Sequence, residues 1–298
     1  MSVFLPTRRD FLTSSSLALA GWALPRAAEG RPQASFRFGM VTDPHYADAE
    51  ERGTRFYLES AAKLRECVEL MSREQVEFLI ELGDFKDQDE PSVEAETLRY
   101  LDEIEAELQR FDGPTYHVLG NHDMDSISKP QFLAAIDNTG VPPDASFYSF
   151  DRAGLHFVVL DACFRNDGAP YDHGDFDYRD SNIAAAQLDW LAQDLATHET
   201  PTILFCHQRL DGEGLLFVNN ADEVRMLLRR RGNVVAAFHG HDHGGAYNEI
   251  DSIHYYTLRA VVEGSGPANS SYAIVEVTGE GIVVTGYRRA LTQRLPRN

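Results

Sequence analysis

The sequence predicts an α/β domain. From Ser35 onward, short apolar runs of strand composition alternate with longer segments whose apolar residues recur every three or four positions. The strand-like runs share an ending: one after another, they give way to Asp, Asn or His beside a glycine or proline. With 43% hydrophobic and 25% charged residues, the 298-residue chain has the composition to bury a large core.

The first strand reads as Phe36 to Thr42 and exits into Asp43-Pro44-His45. A helix from about Thr54 to Glu74 follows, with Leu58, Ala61, Leu64, Val68 and Met71 as its buried stripe. Glu77 to Leu82 is the second strand, closed by Gly83-Asp84. A helix between Ser92 and Arg110 leads to a third strand, Thr115 to Leu119, which ends in Gly120-Asn121-His122-Asp123. Phe147 to Phe150 and Leu155 to Asp161 read as a hairpin. The stretch Cys163 to Asn182 is long and loop-like, as lids and binding loops are. A helix from about Ile183 to Ala196 precedes the strand Thr202 to Cys206, which exits into His207. Asn220 and Glu223 resemble a capping box for the next helix. The strand Val234 to Phe238 then delivers His239-Gly240-His241-Asp242-His243. Ile253 to Leu258, Ser271 to Val277 and Ile282 to Arg288 are expected to close a second sheet.

Residues 1–28 read as a leader. Arg8-Arg9 followed by Phe11-Leu12, a serine-softened apolar stretch and small residues near Ala27 look like a twin-arginine export signal. The apolar part is too short and polar for a stable membrane span. The expectations are therefore contact with export machinery, a periplasmic or secreted location, and a mature domain over 35–298. The cut position stays open, because Pro25 and Arg26 make a poor small-x-small site.

A formal charge of −20, from 27 basic and 47 acidic residues, argues against a nucleic-acid polymer as partner, since polyphosphate binding needs a basic stripe. Small phosphorylated substrates are compatible with it. Cys67, Cys163 and Cys206 lie far apart and read as buried apolar residues rather than as a disulfide or thiolate site.

Taken together, the strand exits offer Asp43, His45, Asp84, Asn121, His122, His207, His241 and His243. Any one of these is more simply a cap or turn residue; their joint arrival at strand ends points to a shared centre. Carboxylate and imidazole without thiolate suit Mn, Fe or Zn, and the inventory exceeds what one tetrahedral ion uses, so two transition metals are expected.

The ordered motifs Asp-x-His, Gly-Asp, Gly-Asn-His-Asp, a later His and Gly-His-x-His resemble the calcineurin-like metallophosphoesterases, over about Phe36 to Arg289. The resemblance implies a four-layer α/β/β/α sandwich with two mixed sheets and a dinuclear site at strand-exit loops. It also implies that Asp43, His45 and His243 hold one metal, that Asn121, His207 and His241 hold the other, and that Asp84 bridges them. His122 is then the catalytic acid, with Asp123 orienting it. The implied activity is hydrolysis of small phosphate esters by in-line attack of a metal-bridging hydroxide.

The Arg55-Phe56-Tyr57 segment, the Gln187 to Leu191 helix and Gly-His-Asp-His-Gly-Gly further resemble the ADP-ribose/CDP-alcohol diphosphatase branch. One departure is Gln208-Arg209 after His207, where the family commonly has a proline two residues on. Arg209 and Lys86 are expected to grip a second phosphate, and Tyr171, Phe176 and Tyr178 to offer faces for a base. The alternative from another class is an inactive metal-holding fold that binds a partner.

Overall fold

The computed structural model describes residues 35–297. The leader expected over 1–28 lies outside them. In chain order the elements are β1 (Phe36–Val41), α1 (Ser60–Glu74), β2 (Leu79–Glu81), α2 (Glu94–Leu108) and β3 (Thr115–His117). A 3₁₀ turn (His122–Met124), α3 (Lys129–Ala135), β4 (Tyr148–Arg152), β5 (Leu155–Leu160), α4 (Ala185–Thr197) and β6 (Thr202–Cys206) follow. The chain then forms α5 (Ala221–Arg231), β7 (Val234–His239), β8 (Ala246–Ile250) and β9 (Ile253–Thr257). It ends in β10 (Ser271–Thr278), β11 (Gly281–Arg288) and β12 (Gln293–Pro296).

Two six-stranded mixed sheets result, ordered β12-β11-β10-β1-β2-β3 and β4-β5-β6-β7-β9-β8. In the first, β1, β2 and β3 run parallel and β10 joins β1 antiparallel. In the second, β5, β6, β7 and β9 are parallel, flanked by antiparallel β4 and β8. Strand alternation sends one set of side chains between the sheets and the other toward the helices. Phe38 stacks on Phe78 within the first sheet, with ring centroids 4.8 Å apart. It meets Phe157, Phe205 and Phe238 of the second edge-on at 5.8, 5.8 and 6.1 Å. Truncating Phe38 to alanine would cost about 3–5 kcal/mol. On the outer face of the first sheet, Val41, Leu79 and Ile274 pack under Leu64, Val68, Met71 and Ile104 of α1 and α2. Val158, Leu204 and Ala237 of the second do the same with Leu191, Leu195, Val224 and Leu228 of α4 and α5. The layers are therefore α/β/β/α.

Three local expectations are corrected. The first helix begins at Ser60, not near Thr54, because the Phe56 amide donates to Val262 O and holds the preceding chain against the 262–263 segment. Leu58 is accordingly exposed. Asn220 stands at the N-cap of α5 but caps nothing; its amide side chain exchanges both hydrogen bonds with the Ile183 backbone and ties α5 to the start of α4. Finally, β10 and β11 complete the first sheet, and β9 alone of the expected C-terminal strands joins the second. Among the described residues, no helix is long and apolar enough to cross a membrane.

Candidate metal centre

Parallel strands β1, β2, β6 and β7 all point their carboxyl ends to one edge of the sandwich, the place where open α/β sheets bind ligands. The loops that leave them turn sharply. Asp43, His45, Asp84 and His241 all have left-handed backbones, with φ of 51°, 46°, 55° and 65°. Such conformations cost non-glycine residues free energy and gather where a site requires them. Close approach has a second requirement at Gly120, where an added Cβ would lie 2.1 Å from the Asp84 amide nitrogen and 2.4 Å from its carboxylate. Any side chain there would push Asp84 off its loop.

The result is two adjoining ligand groups. In the first, Asp43 Oδ1 lies 3.3 Å from His243 Nε2 and 3.7 Å from His45 Nε2, and the two imidazole nitrogens are 3.2 Å apart. In the second, His207 Nε2 is 3.1 Å from Asp84 Oδ2, and His241 completes the group. The same Asp84 oxygen is 3.6 Å from His45 Nε2, which places it between the groups.

Asp43, Asp84, His45, His207 and His243 each have a partner for one polar atom and leave the other for the centre. Asp43 Oδ2 accepts from the Thr42 hydroxyl and the His241 amide, at 2.6 and 3.1 Å. Asp84 Oδ1 accepts from the His122 amide at 2.7 Å. His45 Nδ1 donates to Asp87, His207 Nδ1 to Leu82 O and His243 Nδ1 to Glu263, at 3.1, 2.7 and 2.7 Å. What remains is Asp43 Oδ1, Asn121 Oδ1, His207 Nε2 and His241 Nε2, all buried with no hydrogen-bond partner. Buried polar atoms are seldom left unsatisfied, and their gathering at the strand exits fits divalent cations. Electrostatics agrees. Burial pushes the His241 imidazole down to about 3, so it stays neutral as a ligand must. At His207 burial also opposes charge, but Asp84 and Asp43 outweigh it and raise its pKa to about 10, so in the metal-free protein a proton occupies the position that a cation would take. The pair of carboxylates attracts positive charge.

His122 stands beside these groups, its ring 4.7 Å from that of His45 and 28% of its side chain exposed. It lines a cleft of about 470 Å³ together with Gln88, Asn121, Asp125, Phe176 and Tyr178. Its Nδ1 donates to Asp125 Oδ2 at 2.6 Å, which leaves Nε2 for the cleft. Burial works against its protonation, yet Asp125 and Asp84 outweigh it and raise its pKa to about 10.

Several sequence expectations change here. Asp123 does not orient His122. It is buried behind the loops, where its carboxylate accepts from the amides of Gly120, Phe85 and Asp84 at 2.8, 2.8 and 3.2 Å. Lys86 does not face a substrate either: it is fully buried, and its ammonium donates to His122 O. Arg209 is half-buried and committed to two carboxylates, Asp211 at 2.8 Å and Asp242 at 2.6 Å. Tyr171 is core, with one face stacked on Phe176 at 4.1 Å. Tyr178 stays exposed, 6.4 Å from the His241 ring. Sequence reading missed Thr42, Asp87, Asp125 and Glu263, the partners that set the orientation of the central groups. Only Asp125 carried a signal, three residues after His122.

A family model described as calcineurin-like phosphoesterase matches residues 36–245. A manganese-dependent ADP-ribose/CDP-alcohol diphosphatase of Oryza sativa subsp. japonica is 27% identical over 296 residues, covering 84% of this chain and 91% of the relative. One of the same name from Danio rerio is 26% identical over 310 residues, covering 85% and 96%. A crystal structure of a dimetal phosphatase from Danio rerio superposes with a TM-score of 0.77 at 24% identity, covering 90% of this chain and all of that one.

Proposed function

This chain belongs to the calcineurin-like phosphoesterase family, and we propose that within it the protein is a manganese-dependent diphosphatase that splits the P–O–P bond of ADP-ribose- or CDP-alcohol-type substrates. It is a metal-dependent hydrolase of phosphate esters; the proposal concerns its substrate, its metal and the residues that act. The observation that carries it is the gathering at the strand exits of four buried, unpartnered ligand atoms beside the His122 imidazole, which lines an open cleft.

In this reading Asp43, His45 and His243 would hold one cation and Asn121, His207 and His241 the other, with Asp84 Oδ2 within reach of both groups. Oxygen and imidazole donors without thiolate suit Mn²⁺. When bound, the two cations supply Lewis acidity to the phosphoryl oxygens and activate water for in-line attack. His122 gives its Nε2 proton to the departing oxygen, and Asp125 fixes the ring for that transfer. Asp87 and Glu263 keep His45 and His243 in the tautomer that turns Nε2 inward. The free faces of Phe176 and Tyr178 receive the organic part of the substrate.

Purified protein loaded with Mn²⁺ should hydrolyse ADP-ribose and CDP-choline to monophosphates with higher kcat/KM than simple phosphomonoesters or bis(4-nitrophenyl) phosphate. A clear preference for the simple esters would remove the diphosphatase reading and leave the family activity standing. The Arg8-Arg9 leader supports export. Retention of an Arg8→Lys, Arg9→Lys double variant in the cytoplasm, by cell fractionation, would test that separately.

A further inference from the structure

The four histidines of the two ligand groups are not held alike. The rings of His45, His207 and His243 each give one nitrogen to a fixed acceptor: Asp87, Leu82 O and Glu263 respectively. The ring of His241 has no hydrogen-bond partner among the described residues. A histidine that ligates a metal ordinarily has such a partner to fix its orientation. Here the orientation has to come through the backbone.

His241 takes a left-handed conformation, φ 65°, which a non-glycine residue keeps only where its surroundings enforce it. On its N-terminal side the Gly240 amide donates to His207 O at 3.1 Å, and its own amide donates to Asp43 Oδ2 at 3.1 Å. On its C-terminal side the anchor is ionic. Arg209 Nη1 donates to Asp242 Oδ2 at 2.6 Å, while Nε and Nη2 donate to the two oxygens of Asp211 at 3.0 and 2.8 Å. The guanidinium lies 4.6 Å over the Phe217 ring, and the Arg209 and Phe217 backbones pair through a bridge. Asp211, with 1% of its side chain exposed, and Phe217 both belong to the loop between β6 and α5, so that loop fixes the guanidinium before Asp242 meets it. Arg209 stands two residues after ligand His207, and Asp242 stands between ligands His241 and His243. One side chain therefore ties the exit of β6 to the exit of β7.

We propose that Arg209 is a positioning residue for the cation of the Asn121, His207 and His241 group: through Asp242 it sets the backbone from which His241 reaches that ion, in place of the ring partner that the other three histidines have. The proposal rests on the two-cation assignment above and not on the identity of the substrate. Its claim is selective. Without Arg209, His45 keeps Asp87, and His243 keeps Glu263 and the Ala260 amide that donates to its carbonyl, so the other ion should bind as before. The planar fork of a guanidinium meets both carboxylates at once, whereas an ammonium meets them one at a time, so lysine should restore only part of the effect.

Calorimetric titration of the metal-free protein with Mn²⁺ tests this on wild type, Arg209→Met, Arg209→Lys, Asp242→Ala and His241→Ala. Arg209→Met and Asp242→Ala should each weaken one of the two ions by about 10- to 100-fold, the usual consequence of losing an outer partner, and leave the other unchanged. Arg209→Lys should fall between wild type and Arg209→Met. His241→Ala should weaken the same ion, and adding Arg209→Met in that background should weaken it no further, because the two residues act through one contact. Asp242→Ala breaks the link to the ligand loop while Arg209 stays on buried Asp211, so it decides the matter even if Arg209→Met does not fold. Equal weakening of both ions, further loss in the His241→Ala background, or unchanged binding in Asp242→Ala overturns the assignment. If wild type binds a single Mn²⁺, the two-cation reading fails by itself. Arg209 is then judged on that ion: its positioning role stands if Asp242→Ala weakens binding only while His241 is present, and falls otherwise.

Discussion

Two clusters in this molecule are built from the same side chains and do different things. One is the centre at the carboxyl ends of β1, β2, β6 and β7; the other, at the opposite end of the second sheet, joins Asp151, His156, Asp194 and His198. Both bring imidazole and carboxylate within a few ångströms. In the second, His156 uses Nδ1 on Asp151 at 2.8 Å and Nε2 on Asp194 at 2.7 Å, so neither nitrogen is left over. Its ring lies nearly parallel to that of His198, with centroids 3.6 Å apart, an arrangement in which one ion cannot sit in the plane of both rings. At the strand exits His45, His207 and His243 each spend one nitrogen on a carbonyl or carboxylate and turn the other inward, where unpartnered atoms meet. Proximity of ligand-type residues does not make a metal site; an unspent lone pair on each of them does.

The largest test of this difference is Asp84→Ala against Asp151→Ala. Removing Asp84 takes away the oxygen that stands between the two groups, and with it several kcal/mol of charge stabilisation, on the order of 10³-fold in kcat or more. Bound metal should fall as well. Asp151→Ala should leave metal content and turnover as they were. A variant at Asp84 that keeps two metals per chain would break the contrast.

His122→Ala comes next. It should lower kcat by about 10²- to 10⁴-fold, the usual worth of a positioned acid, with metal content nearly intact. Loss of metal together with activity would make His122 a ligand, as its proximity to His45 and Asp84 permits.

Asp125→Asn and Asp123→Asn sharpen the same point within one turn of chain. His122 opens a 3₁₀ turn, in which residues i and i+3 lie one above the other, so Asp125 and not the adjacent Asp123 reaches its ring. Asp125→Asn should cost about 10- to 100-fold in kcat, as loss of an orienting partner does elsewhere. Asp123→Asn should instead lower thermal stability, because three backbone amides lose a charged acceptor, each such bond being worth about 1.5–3 kcal/mol. If Asp123→Asn slows turnover without lowering Tm, the sequence expectation was the better one.

That pair of residues also shows where sequence reading stops. Motifs such as Gly-Asp and Gly-Asn-His are local, because a strand exit, a left-handed turn and a ligand occupy consecutive positions; Asp43, Asp84 and Asn121 were therefore legible. Glu263 has no local mark, since it reaches His243 only through pairing of the 262–263 backbone with Arg55 and Phe56. Lys86 and Arg209 were misplaced for a related reason: position near a ligand in sequence says nothing about which carboxylate or carbonyl claims the charge. Assignment of β10 and β11 to a sheet likewise depended on which strand edge was free, and apolar alternation is the same for either edge.

The smallest effect belongs to His156→Gln, and it decides whether the second cluster is purely structural. Burial opposes a charge on this imidazole, but hydrogen bonds to Asp194 and Asp151 outweigh it and hold the pKa above the ordinary 6.5. A histidine whose pKa rises on folding stabilises the protein fully below its unfolded value of about 6.5, and loses that contribution as pH climbs through the folded value. Asp194 sets the acid limit. Burial would raise its pKa, yet His156 and Ser149 keep it below 3.8, so its share is present above about pH 3.9 and disappears as pH falls further. The window of full stabilisation therefore runs from about pH 4 to about 6.5. His198 and exposed Asp151 also face the ring and screen it, so the pH-dependent part should amount to about 1 kcal/mol or less. Urea unfolding at pH 5.5 and pH 9 measures it: the gap in stability between wild type and His156→Gln should narrow at the higher pH, with activity in Mn²⁺ equal throughout. A gap that widens with pH, or a variant that loses bound metal, would place both clusters in one class.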